Sequence, residues 1–240
     1  MNRRQLLAHA TAGLGLLLVA GCAGGRRART VADSDPLTLP ASGRPRVPTR
    51  QSRLPPDIDQ IVGRTGGAGF AGVIERARWT REQPIISRAD PMAGYQRITV
   101  HHDGMSPFLS TSEADASRRL ESIRRAHVGQ GWADIGYHFS IDPAGRVWAC
   151  RPITLQGAHV KDQNPGNIGV MVMGNFEQQQ PTSAAVATLE TFVASLMQRY
   201  RIGIRGVFTH RELASTACPG RNLQTRMVQA RASGGRLALA

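Results

Sequence analysis

An α/β domain built on a central mixed β-sheet flanked by helices is the fold class this sequence predicts, and three observations predict it. Short β-branched or apolar runs recur between residues 98 and 210, at the length of buried strands. Two longer stretches among them, 111–128 and 182–201, carry apolar residues at helical spacing. With 240 residues and 41% hydrophobic content, the chain can bury a full core, and once its ends are discounted it reads as one domain.

Taken in order, residues 1–25, MNRRQLLAHATAGLGLLLVAGCAGG, combine a basic start, an apolar stretch and small residues at Ala20 and Gly21. Residues 1–21 therefore read as a signal peptide, too short in its apolar part for the ~20 residues of a permanent span. Arg3 and Arg4, followed by Gln5, Leu6 and Leu7, resemble a twin-arginine export signal. Val19, Ala20, Gly21 and Cys22 resemble a lipobox, which implies acylation of Cys22 and a membrane anchor. The chain is thus expected to be exported to the periplasm or cell envelope as an anchored lipoprotein. Residues 22–59 are rich in Arg, Pro, Ser, Gly and Thr; too apolar-poor to order, they read as a tether.

The globular part is expected over residues 60–222. ITVHH at 98–102 suits a buried strand that delivers its last residues to a sheet edge. A helix follows over 111–128, where Ser110 and Glu113 have capping-box spacing and Leu120, Ile123 and His127 share a face. YHFSID at 137–142 and RVWACR at 146–151 flank Pro143, Ala144 and Gly145, which predicts a hairpin. NIGVMVMG at 167–174 is apolar enough for a central strand. From Thr182 to Arg201, Val186, Leu189, Val193, Leu196, Met197 and Tyr200 line one helical face. GVFTH at 206–210 reads as a short strand ending in a histidine, and residues 223–240 as a C-terminal tail without strong pattern.

The net charge of +13 invites a nucleic-acid reading until it is divided along the chain. Residues 1–59 carry 9 basic and 4 acidic side chains, 60–220 carry 17 and 13, and 221–240 carry 4 and none. More than half of the excess sits at the ends, and no basic stripe interleaves with aromatics, so no specific nucleic-acid partner is expected.

His101 and His210 stand at strand ends, and Cys218 follows the second just before Pro219 and Gly220. Two imidazoles and a thiolate suit zinc, and three protein ligands leave a fourth position open, as in a catalytic site. The spacing alone does not decide between ligation and structural histidines. A disulfide between Cys150 and Cys218 is the competing use for the second thiol in an exported protein.

The blocks around these residues are more specific. VHH at 100–102, WADIGYHF at 132–139, GAH at 157–159, NIGVMVMGNF at 167–176 and THRELASTACPG at 209–220 closely resemble the type 2 N-acetylmuramoyl-alanine amidase family. That family includes the animal peptidoglycan recognition proteins and phage endolysin amidases. The resemblance runs over roughly residues 75–222 and includes Arg78 and Trp79 ahead of the first long strand. It implies His101, His210 and Cys218 as ligands of Zn2+, with His102 a neighbour. It implies Tyr137 as the catalytic tyrosine and Thr216, at a position where some phage enzymes carry lysine, as a second oxyanion donor. It places His159 in the substrate cleft, with Arg151 and Asn175 as further substrate-binding candidates. The implied activity is zinc-dependent hydrolysis of the amide between the muramic acid lactyl group and L-alanine, by a monomer acting on peptidoglycan. The alternatives are a non-catalytic peptidoglycan-binding module and an amidase for soluble anhydro-muropeptides.

Overall fold

The computed structural model describes Phe70 and residues 72–240. The signal segment 1–21, the tether 22–59 and Cys22 lie outside the described residues. Six strands form one sheet: β1 (Val73–Ile74), β2 (Arg97–His102), β3 (Phe139–Ile141), β4 (Val147–Ala149), β5 (Asn167–Val172) and β6 (Val207–Thr209), in the spatial order β1-β4-β3-β5-β2-β6. Only β3 and β4 pair antiparallel; the other neighbours run parallel. This is the mixed sheet that the sequence predicts.

Helices α1 (Glu113–Gly129), α2 (Ser183–Tyr200), α3 (His210–Leu213) and α4 (Arg221–Arg231) complete the fold. Strand β5 is buried along its whole length, and its alternating side chains feed two cores. Ile168, Val170 and Val172 pack with Leu189, Val193 and Leu196 of α2 and Leu223 and Met227 of α4. Met171, with Met173 just beyond the strand, packs with Leu120 and Ile123 of α1 and with Trp79 and Trp148.

The β3–β4 hairpin turns through Asp142, whose Oδ1 accepts from the N–H groups of Ala144 and Arg146 at 2.9 and 3.0 Å. Gly145 has φ +81 there, a conformation that costs glycine little. Helix α1 starts later than the Ser110–Glu113 spacing predicts: Ser112 is the N-cap and accepts from Asp115 N–H. Ser110 instead donates to the Asp115 carboxylate and accepts from Ser112 N–H, so it braces the cap from outside the helix. On α2 the buried stripe includes Ala185 and Phe192, while Val186 is half-buried.

The C-terminal segment corrects the expectation of a patternless tail from residue 223. Leu223, Met227 and Ala230 recur at helical spacing on α4 and are buried, and Leu237 returns to the same core, its N–H donating to Ala230 O at 2.9 Å. The stripe is three residues wide among arginines and glutamines, so polarity hides it until α4 meets the sheet.

Candidate metal centre

Register decides the site. In the parallel β2–β6 pair Val100 stands opposite Thr209, so the residues one step on, His101 still within β2 and His210 just past β6, stand side by side, their ring centroids 4.7 Å apart. His210 is the first residue of α3 rather than the end of a strand. Glu212 accepts from Thr209 N–H at 2.8 Å and also binds Arg231 of α4, which ties that junction to the C-terminal helix.

Cys218 arrives through the loop after α3, which closes when Arg211 N–H donates to Cys218 O at 2.9 Å. Its Sγ accepts from His102 N–H at 3.4 Å and lies 3.6 Å from His101 Nδ1. One donor atom from each of His101, His210 and Cys218 lies within 4.8 Å of the others. Ligand atoms on a tetrahedral zinc ion stand about 3–4 Å apart, so two nitrogens and one sulfur converge here to nearly that spacing and could hold such an ion after a small closing of the set.

The electrostatics suit the same use. Burial, followed by the neighbouring His159, His210 and His102, holds His101 well below the usual histidine range. Burial, with His102 adding, lowers His210 to about 4. Both imidazoles are neutral at physiological pH, with lone pairs free for a cation. Burial pushes the Cys218 thiol up to about 12, against the lowering effect of His102 N–H and Arg211; a cation at this corner is what would make it a thiolate. Cys150 and Cys218 are both free thiols, so no disulfide joins the two.

Tyr137 stands beside the corner, its ring centroid 5.1 Å from that of His101, and its hydroxyl has no hydrogen-bond partner among the described residues. Its loop is held from several sides. Gly136 N–H donates to His127 Nδ1 at 3.0 Å and Ala158 N–H donates to Gly136 O at 3.0 Å. A Cβ on Gly136 would come within 2.3 Å of Ala158 O, which explains glycine ahead of the tyrosine. Thr216 is exposed, and its Oγ1 accepts from Cys218 N–H at 3.2 Å. His102 stays outside the donor set: its Nδ1 accepts from Phe176 N–H at 3.2 Å.

The three residues expected to bind substrate all make hydrogen bonds within the protein. His159 is buried, with Nδ1 3.1 Å from His101 Nε2 and Nε2 3.1 Å from Asn167 O. Both ring nitrogens are engaged by groups of the protein, and the ring stands behind His101. Arg151 is also buried, and its guanidinium uses three of its five N–H donors on the carbonyls of Ile135, Asp134 and Gln156. Asn175 serves a turn, its Nδ2 donating to Gly104 O and its Oδ1 accepting from Glu177 N–H. His127 is a residue that the sequence reading missed as a loop anchor. Its helical position marks it as a face residue, and nothing local shows that Gly136 needs an acceptor.

Comparisons with known proteins agree with this architecture. The family described as N-acetylmuramoyl-L-alanine amidase (Amidase_2) matches residues 91–221. Peptidoglycan-recognition protein SC2 of Drosophila melanogaster is 33% identical over 154 residues, covering 63% of this chain and 82% of that protein. The endolysin of Escherichia phage T7 is 30% identical over 127 residues, covering 51% of this chain and 83% of that protein. Among solved structures, Drosophila PGRP-LB superposes with a TM-score of 0.59 at 23% identity, covering 65% of this chain and 91% of that one, a likeness of fold. With the family match spanning more than half of its length, the chain belongs to the type 2 N-acetylmuramoyl-L-alanine amidase and peptidoglycan recognition protein family.

Proposed function

We propose that the chain is a zinc-dependent N-acetylmuramoyl-L-alanine amidase that hydrolyses the amide between the muramic acid lactyl group and the first L-alanine of the peptidoglycan stem. The observation that carries this reading is the convergence of His101, His210 and Cys218 donor atoms within 4.8 Å of one another. Zinc held by these residues supplies Lewis-acid activation of water and of the scissile carbonyl.

The remaining chemistry falls to the chain's own groups. Burial, with Cys218 and Asp103 adding, raises the Tyr137 phenol above its ordinary range. It therefore stays protonated at neutral pH and donates a hydrogen bond where negative charge develops on the carbonyl oxygen. Thr216 accepts from Cys218 N–H and keeps its own proton for a second donation, weaker than a lysine's because it brings no charge. Binding without cleavage is the alternative, and the survival of Cys218 beside both histidines weighs against it.

On the sequence of residues 1–22 the reading also places the enzyme outside the cytoplasm on a lipid at Cys22. Labelled fatty acid should enter the full chain and be lost in Cys22→Ala; an unlabelled wild-type chain sinks the anchor.

The deciding experiment incubates the purified protein with peptidoglycan, with and without a zinc chelator, and identifies products by mass spectrometry. Free stem peptides beginning with alanine, lost on chelation and restored by zinc, are expected. Zinc-loaded protein that binds the polymer and leaves it uncut would establish a recognition module instead.

A further inference from the structure

Behind His101 runs a chain of hydrogen bonds whose direction is set at its far end. His159 Nε2 lies 3.1 Å from the backbone oxygen of Asn167, and a carbonyl oxygen accepts but cannot donate. The proton of a neutral His159 therefore sits on Nε2, which leaves Nδ1 as a lone pair. That lone pair is 3.1 Å from His101 Nε2, a contact that closes as a hydrogen bond only when His101 carries its own proton there. The His101 lone pair is then on Nδ1, the atom 3.6 Å from Cys218 Sγ.

The surroundings hold His159 to this task. A Cβ on Gly157 or Gly169 would come within 2.5 and 2.6 Å of His159 Cδ2, and neither glycine has a positive φ. Glycine is present for the close approach of the imidazole rather than for a turn. Behind Gly169, His138 Nδ1 accepts from Gly169 N–H at 2.9 Å while its Nε2 donates to Leu155 O at 3.0 Å. The Asn167 side chain is itself fixed, accepting from Thr99 Oγ1 at 2.8 Å and donating to Gln163 O at 2.9 Å.

We infer that His159 is a positioning residue, which holds His101 in the Nε2–H tautomer through a relay anchored on the Asn167 carbonyl and so presents His101 Nδ1 to the metal. The purpose of the relay rests on the proposed zinc centre, but its test does not depend on hydrolysis. Loss of such an outer partner weakens metal binding by about 10–100-fold.

The first measurement is made on the metal-free wild-type protein, labelled with 15N, by long-range proton–nitrogen correlation of the histidine rings. His101 is expected as the Nε2–H tautomer and His159 likewise; an Nδ1–H tautomer at either ring overturns the relay. The second compares His159→Leu with His159→Gln, whose amide can offer a carbonyl to His101 and an N–H to Asn167. Zinc affinity, read by competition with a chromophoric chelator, should fall by about 10–100-fold in the leucine variant and recover in part with glutamine. Equal affinity in wild type and His159→Leu would overturn the inference. An intact relay in a chain that leaves peptidoglycan uncut would remove the amidase reading and support this one.

Discussion

The backbone N–H of Arg151 donates to the Tyr137 carbonyl at 2.9 Å, and the guanidinium of the same arginine donates to Ile135 O at 2.8 Å, Asp134 O at 3.0 Å and Gln156 O at 2.6 Å. Arg151 thus holds the backbone that carries the candidate catalytic tyrosine. Burial lowers its pKa only to about 10, so the charge persists at neutral pH. Arg151→Met strands two buried carbonyls and one part-buried one and should cost about 3–5 kcal/mol of unfolding free energy, read by urea denaturation without substrate. An unchanged urea midpoint would return Arg151 to the cleft.

Cys218→Ser and His210→Ala each remove one of the three converging donors. Both variants should lose the equimolar zinc expected of the wild-type protein, measured by elemental analysis after dialysis. Full zinc retention in both would place the metal elsewhere.

Tyr137→Phe removes only a hydroxyl beside the donor set. Zinc content should stay at the wild-type level, while turnover on peptidoglycan should fall by about 10²–10³-fold, the worth of one oxyanion donor. Wild-type turnover would exclude the phenol from the chemistry.

Burial lowers both His127 and His138 to about 4, with Arg151 pushing in the same sense. Each uses Nδ1 as an acceptor, from Gly136 N–H and Gly169 N–H respectively, and protonation there breaks that bond. An unfolded histidine titrates near ~6.5, so between about 4 and 6.5 the unfolded chain binds more protons. The stabilisation is therefore complete above pH ~6.5, declines as pH falls, and is gone below about 4, at up to about 3 kcal/mol for each ring. His101 and His159, also held low by burial, act in the same direction. The Tm of the chelated protein should drop steeply between pH 7 and 4, less so in His138→Gln; a flat profile would contradict the assignment.

Leu223 is fully buried in the core shared by the sheet and α2. Leu223→Ala should cost about 2–5 kcal/mol in chemical denaturation. A cost near zero would restore the C-terminal segment to the status of a tail.

By itself the sequence determined the elements whose signal is local and the donor types whose chemistry is intrinsic. The β-branched run at 98–102 became β2, the Asp142–Gly145 turn made its hairpin, and the helical stripes of α1 and α2 sit where their periodicity puts them. His101, His210 and Cys218 were legible as a candidate set through the motif blocks around them, since the residue types and spacing alone leave structural histidines open. Only the tertiary structure decided what each polar side chain touches. The β2–β6 register put His101 beside His210, and contacts with Asn167 and with the Tyr137 loop turned His159 and Arg151 from cleft candidates into supports. The tail became α4 for the same reason, since a narrow apolar stripe among charges stabilises a helix only once a sheet face covers it. Periodicity is written into neighbouring residues, whereas a hydrogen-bond partner is chosen by whichever distant segment the packed core brings within 3 Å or so.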